Sequence, residues 1–531
     1  MGKKDKKKGK GAEKTALKTE KKALNKLKKD LAAKGEGDIE KLIAESQKHI
    51  QKADYVGEEL CPQPSPRSSC SLNAHPDKEE LVLFGGEYFN GKKTTVYNDL
   101  YFYNIKKGQW SIMHTPVKPP PRSSHKSVVL SQSGGQLWVF GGEFSSPSRS
   151  VFHHYNDLWV FHFTEKRWEQ IKAPGGPSSR SGHRMAVRRK QIVIFGGFHD
   201  SVGNQRYFND IHVFNLDTYT WSKIEASGKI PPPRSACLFA PLTDGRILLY
   251  GGYSTEKVKK DVDKGITHTD MYYLLIDERA APHKWKWVPA KPSGFPPSPR
   301  CGLSFAVSPN NRAYIFGGVC DDDQDENLIS VFCKDLYVLE LDNGRFSPIN
   351  LRGKASGLMR KKRRGARDND VKILDDDGEE EKSEERNDVD VEVAERLKEV
   401  SIKSDDIFTV TVSSSVSVAS SEKSASSSSS SSNEAFAPKA RMNSTLAVKN
   451  GILYLYGGTY EEGDRQYTLS DFYSLDVHKV DEWRTIVPFS ISNLDWEDSS
   501  GSESEDDDDD DDEQDDDDDD ESSESDDMDT Q

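Results

Sequence analysis

Six arginines recur along the chain in the same company. A guanidinium is the side chain best suited to grip an oxyanion with several hydrogen bonds at once. Arg67, Arg122, Arg180, Arg234, Arg300 and Arg441 each stand ahead of a short apolar run that stops in two glycines. The set has two readings: an anion site turned toward a partner, or hydrogen bonds to carbonyls and carboxylates that hold one repeat to the next. Other chemistry is thin. The chain has no phosphate loop, HExxH or GxSxG pattern. His153, His154 and Tyr155 form the densest histidine cluster, but spacing assigns it no further metal ligand, so it reads as a polar segment before a strand. Asp321, Asp322, Asp323, Asp325 and Glu326 lack the ordered spacing of a calcium loop and read as a solvated acidic loop. The six cysteines make no CxxC pair, as expected of reduced thiols. No catalytic residue, metal or cofactor is expected, and the chain reads as a non-enzyme.

The elements that must position the arginines announce themselves by repetition. The glycine pairs are Gly85 and Gly86, Gly141 and Gly142, Gly196 and Gly197, Gly251 and Gly252, Gly317 and Gly318, and Gly457 and Gly458. The steps between second glycines are 56, 55, 55, 66 and 140 residues, which is the signature of a repeat array. Each pair closes a run of strand type, such as LVLFGG at 81–86. Downstream comes an aspartate leading a second strand, at Asp99, Asp157, Asp210, Asp270, Asp335 and Asp471. About ten residues later an aromatic closes the unit: Trp110, Trp168, Trp221, Trp287, Phe346 and Trp483. Four strand signals in each of six units predict an all-β fold, a six-bladed β-propeller. The pattern resembles the kelch repeat. A four-stranded blade cannot bury both faces alone, so blades must stack around an axis. The large aromatics are expected to fill the wedges between blades. The glycines are expected to let a second backbone approach closely.

The rest of the chain differs in kind. Net charge is −16, yet residues 501–531 hold 21 acidic and no basic residues, which leaves the remainder at +5. Five segments follow: a basic, partly helical arm (1–54), blades one to five (55–350), a charged and Ser-rich insert (351–437), blade six (438–490) and an acidic tail (491–531). Arm, insert and tail have the composition of disordered chain. The lysines of the arm could meet the phosphates of nucleic acid, or could merely solubilise it. Asp38 is placed to cap a short helix with Ile39, Leu42, Ile43 and Ile50 on one side, a stripe expected to pack on the propeller. Tyr55 precedes Arg67 by the same twelve residues that separate Trp110 from Arg122, so residues 55–60 read as an extra fourth strand. That strand could pair with the last blade and latch the ring, although Trp483 already supplies a fourth strand there. Apolar runs fall short of the ~18 residues a membrane helix needs. The lysine-rich start has no apolar region behind it, unlike a secretory signal.

Beyond the repeat, KGKGAEKTALKTEKK, LFGGEYFNGKKT, HHYNDLW, KVKKDVDKGITHTDM and GDRQYTLSD resemble the kelch domain-containing protein 4 family over nearly the whole chain. The resemblance implies a kelch propeller with no appended catalytic domain and a poorly defined molecular role. The expected function is a protein–protein interaction scaffold, in nuclear or ribonucleoprotein assembly. The competing reading is a ubiquitin-ligase substrate receptor without a BTB domain. Partners are expected on the face formed by the segments after the glycine pairs: 87–97, 143–155, 198–208, 253–269, 319–332 and 459–469. These segments are expected to expose Tyr88, Phe89, Phe144, Phe198, Tyr253 and Tyr460, aromatics being favoured interface anchors. The six arginines are expected on the same rim. Basic proteins are expected at the acidic tail. Ser500, Ser502, Ser504 and Ser523 each have an acid three positions on, as a casein kinase 2 type enzyme prefers. The expected location is nucleus or cytoplasm.

Overall fold

The computed structural model describes residues 31–50, 55–353 and 435–490, together with Lys29 and apart from 202–203, 260–261, 281–282, 325–326 and 464. The basic arm to residue 28, the 354–434 segment, the tail from 491 and its four serines lie outside them.

The fold is mostly β, a ring of six sheets around a central channel, antiparallel except for the short outer strands Ser227–Gly228 and Ser293–Gly294, which pair in parallel. Inner strands Ser71–Ala74, Lys126–Leu130, Arg184–Arg188, Leu238–Pro241, Ser304–Ser308 and Thr445–Lys449 surround the axis. Blade two shows the plan: Lys126–Leu130, Gln136–Phe140, Leu158–His162 and Arg167–Ile171 pair in order outward. The run before each glycine pair is the second strand. It is buried on both sides, as Leu81, Val82, Leu83 and Phe84 show, because it lies between neighbouring blades.

The closing aromatics fill the wedges, each against the aromatic before the glycines of the preceding blade. Trp168 meets Phe84 (centroids 5.1 Å apart), Trp221 meets Phe140 (5.7 Å) and Trp287 meets Phe195 (5.4 Å). Phe346 meets Tyr250 (4.7 Å), Trp483 meets Phe316 (5.8 Å), and Trp110 of blade one meets Tyr456 of blade six (6.1 Å). The last contact shows that blade six, though separated by the insert, closes on blade one with the same joint.

All twelve paired glycines have positive φ. A Cβ on Gly141 would stand 2.8 Å from the Arg180 carbonyl oxygen of the next blade, and one on Gly142 2.6 Å from the Ser123 carbonyl oxygen of its own. Close approach of two backbones therefore requires the pair. The second glycine donates its N–H to the arginine carbonyl across the seam: Gly86 to Arg122 (2.9 Å), Gly142 to Arg180 (3.0 Å), Gly197 to Arg234 (2.9 Å), Gly318 to Arg441 (2.9 Å) and Gly458 to Arg67 (3.1 Å). A second relay circles the channel mouth. Ser124 donates to Ser69, Gly182 to Ser124, Ala236 to Gly182, Asn443 to Gly302 and Ser69 to Asn443, all through backbone groups. These six residues, glycine or not, are all left-handed. Between blades four and five neither relay has its bond among the described residues. That seam is held instead by apolar packing of Leu248, Tyr250, Ile315 and Phe346 and by hydrogen bonds such as Tyr273 Oη to Leu341 O (2.7 Å).

Two expectations about the frame are corrected. Strand Gly57–Cys61 does not latch blade six; it pairs with Gln109–His114 as a fifth, outermost strand of blade one, with Cys61 opposite Trp110. No strand is exchanged at closure, because blade six already holds its own Arg484–Val487. The segments after the glycines are also not loops but two-stranded ribbons, such as Glu143–Ser145 with Phe152–His154. In blades four and six the second and third strands run through into the ribbon, with register shifts at Tyr250/Gly252 and Tyr456/Gly458.

Candidate functional site

The rim of the ribbon-bearing face is built from the arginines. The Arg122 Nε donates to the Pro120 carbonyl (3.1 Å), and Nη1 donates to Gly141 O (3.0 Å) and Asp157 Oδ1 (2.8 Å). Its Nη2 donates to Asp157 Oδ2 (2.9 Å), and the guanidinium lies 4.3 Å from the Tyr155 ring. Arg180, Arg234 and Arg441 repeat the two-pronged grip on Asp210, Asp270 and Asp471. Arg67 stands 3.8 Å from Asp99 and donates to Ser65 Oγ. Arg300 reaches Asp335 through Nη1 alone (2.5 Å). Burial by itself would raise the Asp157 carboxyl, but the Arg122 guanidinium outweighs it and holds the group below its ordinary range; the hydrogen bond from His212, with Arg180, does the same for Asp210.

This corrects the expectation of an arginine anion site. Arg67, Arg122, Arg180, Arg234 and Arg441 are fully buried and Arg300 is 7% exposed. Arg122 spends four of its five donors inside its own blade, so little is left for a partner. The side chain ties the incoming segment to strands two and three of its own blade, while only the backbone carbonyl crosses the seam. The rim placement itself stands, because Arg122 N–H donates to Tyr97 O at the end of the preceding ribbon (2.9 Å).

The six ribbon aromatics have different fates. Tyr88, Phe89, Phe198, Tyr253 and Tyr460 are half-buried. The Arg149 guanidinium covers the Phe89 ring at 4.3 Å. Phe198 lies against His154 and Tyr207, and Tyr460 against Phe332, with the Lys439 ammonium 4.7 Å away. Phe144 is the exception at 5% exposure. It packs with Val96, Tyr155 and Ile43, with Ile39 and Leu42 of the helix Ile39–Ile50 against the cluster. Asp38 Oδ1 caps that helix by accepting from Lys41 N–H (3.0 Å). Glu36 anchors the turn before it by accepting from Ser148 N–H (3.0 Å) and Oγ (2.5 Å). Phe144 is thus no partner anchor; the helical stripe read from the sequence is what covers it.

The histidine cluster is neutral hydrogen-bonding scaffold. His154 Nε2 accepts from Asp200 N–H (3.0 Å), so Nδ1 carries the proton toward Ser181 Oγ (2.7 Å). Burial, then His199 and His153, lower His154 to about 3. Burial and the neighbouring Glu87 push Glu143 up to about 8. Among the described residues no group of three or more His, Cys, Asp or Glu is placed to hold a metal, and no helix is long and apolar enough to cross a membrane.

The channel encloses about 580 Å³ and carries two cations that the sequence reading missed, Lys126 and Arg184. Each stands four residues after its blade's repeated arginine, where the other blades have Ser71, Leu238, Ser304 and Thr445. That register was the signal available.

The fold and rim define a kelch-repeat β-propeller, and comparison with known proteins agrees. Residues 67–270 match the family described as FBX42, beta-propeller domain, and residues 177–365 match the KLHDC2/KLHL20/DRC7 Kelch-repeats domain. The chain is 36% identical over 186 residues to Host cell factor 1 of Homo sapiens, covering 34% of this chain and 8% of that protein. It is 27% identical over 335 residues to Host cell factor homolog hcf-1 of Caenorhabditis elegans, covering 57% and 40%. It is also 27% identical over 262 residues to Acyl-CoA-binding domain-containing protein 5 of Arabidopsis thaliana, covering 48% and 36%. The chain thus spans 8 to 40% of these relatives' own lengths.

Proposed function

We propose that the chain is a non-enzymatic protein–protein interaction scaffold that receives partners on the ribbon-bearing face. The observation that carries this reading is the division of labour at the rim. Arginine–aspartate pairs fix six stations from within, and from them rise six ribbons of differing length, four of which bring Tyr88, Phe89, Phe198, Tyr253 and Tyr460 to a half-buried position. Such aromatics anchor protein partners well, because they contribute large area at little entropic cost. Tyr88, Phe89 and Tyr253 are the residues to test; replaced together by alanine, they should abolish partner recovery in affinity purification while the thermal midpoint stays within a few degrees. Full recovery by a folded triple variant would move the site elsewhere.

The charge layout, basic at the start and near Arg360 and acidic at the end, supports nuclear or ribonucleoprotein work. Arg360 to Arg364 and the lysine-rich arm are basic clusters of the import type. The tail suits basic partners in a salt-sensitive manner, deepened by ~1.5–2 negative charges for each phosphate on Ser500, Ser502, Ser504 or Ser523. Serine and glycine in place of both basic clusters should move a tagged protein out of the nucleus; an unchanged image removes that part.

A further inference from the structure

Lys126 and Arg184 open the inner strands of blades two and three, side by side at the same register. Arg184 is more than nine-tenths buried. Its Nε donates to the Cys237 carbonyl, and the guanidinium reaches over the Phe305 ring of blade five, 5.1 Å from its centroid. The two terminal nitrogens have no hydrogen-bond or ion-pair partner among the described residues, and neither has the Lys126 ammonium. The residues lining the channel include no Asp or Glu. The titratable groups facing Lys126 are Arg184, Cys70 and Cys237. Burial pushes the Cys70 thiol up to about 11 and raises Cys237, so both stay neutral. Behind the cations, His125 and His183 are buried and held neutral, by burial first and then by Arg122 and Arg180 respectively. Two neighbouring basic groups therefore stand in the channel with no acidic residue in its lining. Arg184 keeps its charge there, and a buried charge without an acidic partner costs stability; the Arg–Asp stations show that this fold pairs such groups elsewhere. Stability given up at one place in a scaffold marks a functional site.

We propose that the channel mouth is a binding site for a phosphate dianion, held by Arg184 and Lys126. The charge count decides the class: Arg184 and, once protonated, Lys126 are balanced by a dianion, whereas a single carboxylate balances Arg184 alone. The planar Arg184 fork takes two oxygens, Lys126 supplies a point charge, and the hydroxyls of Ser71, Ser124 and Ser304 line the same channel. Deeper along the inner strands the wall turns apolar at Phe239, Val307 and Val448. The phosphate is therefore either free or carried on an organic body that enters ahead of it. The anion also explains the lysine. Burial first, then Arg184, lowers Lys126 to about 7. A bound dianion raises it again, so binding above pH 7 takes up a proton.

The test is calorimetric titration of the full chain with inorganic phosphate, phenyl phosphate and acetate, at pH 7.5 in two buffers of different ionisation heat. Expected are millimolar or tighter phosphate binding with proton uptake, acetate binding at least tenfold weaker, and at least tenfold loss of phosphate affinity in Lys126→Met and in Arg184→Met. Arg184→Met removes an unpaired charge and Lys126→Met a desolvated amine, so their thermal midpoints in anion-free buffer should equal or exceed that of the unsubstituted chain. Tighter phenyl phosphate assigns the organic source, and equal affinity assigns free phosphate. No heat with either phosphate, acetate as strong as phosphate, or unchanged affinity in both folded variants would overturn the site.

Discussion

The six arginine stations and the six ribbons above them share one face yet follow opposite rules. The stations repeat with little variation: a buried guanidinium, a paired aspartate, two left-handed glycines and an aromatic wedge from the next blade. The ribbons vary in length, in aromatic position and in what covers them. In blade four the strands run on as far as Lys259 and Val262, and in blade two the ribbon is roofed by the N-terminal helix. Repetition marks the parts that hold the ring shut, and variation marks the parts free to be shaped by a partner. Of the two readings open for the arginines, their burial favours the one that holds the repeat together.

That division fails if the stations tolerate change. Arg122→Met leaves the Asp157 carboxylate, whose side chain is 14% exposed, without its cation. Losing one partner of a buried pair costs about 3–5 kcal/mol, so a large fall in the denaturant midpoint is expected. The same change at Arg300 should cost less than half as much, because Asp335 is 40% exposed and meets Arg300 through one nitrogen. Equal losses would remove the distinction between the Arg300 station and the more deeply buried ones.

The glycines sharpen the same contrast at smaller magnitude. Gly141→Ala forces a Cβ against the Arg180 carbonyl across a tight seam, whereas at Gly251 the nearest atom is the His268 carbonyl oxygen at 3.3 Å. Both pay roughly 1–2 kcal/mol for an L side chain at positive φ. Only Gly141→Ala should exceed that in chemical denaturation, and the reverse order would contradict the relay.

A pH effect comes next. Glu143 has a folded-state value raised to about 8 from an ordinary 4.5, so its ionisation opposes folding. Stability should decline as pH climbs from about 4.5 to 8 and hold steady above. Glu143→Gln should flatten that slope in urea melts run across the interval. Asp157 and Asp210 act in the opposite sense: their depressed values contribute stability above about pH 4, lost as pH falls further.

Much of this ring was legible in the chain. Glycine pairs, aspartates and closing aromatics are types whose physics restricts where they stand, so six copies carried the blade count, the wedges and the close backbone approach. The left-handed relay at the mouth was hidden, because Ser124 and Ala236 do not announce a positive φ as Gly182 does. The pairing of Gly57–Cys61 was hidden too: spacing identified a fourth-strand signal, but the register that keeps it in blade one depends on Gln109–His114 already holding that position. Phe144 looked like the other ribbon aromatics, and its burial depends on a helix a hundred residues away in sequence. Lys126 and Arg184 passed unnoticed because two basic residues on separate strands become a site only when the ring closes.

The most direct test of the division between fixed stations and variable ribbons is partner capture from cells by the full chain carrying Tyr88, Phe89 and Tyr253 all replaced by alanine, alongside its thermal midpoint. The account predicts a midpoint within a few degrees of the unsubstituted chain and loss of the partners that chain recovers. A folded triple variant that still recovers all of them would contradict it.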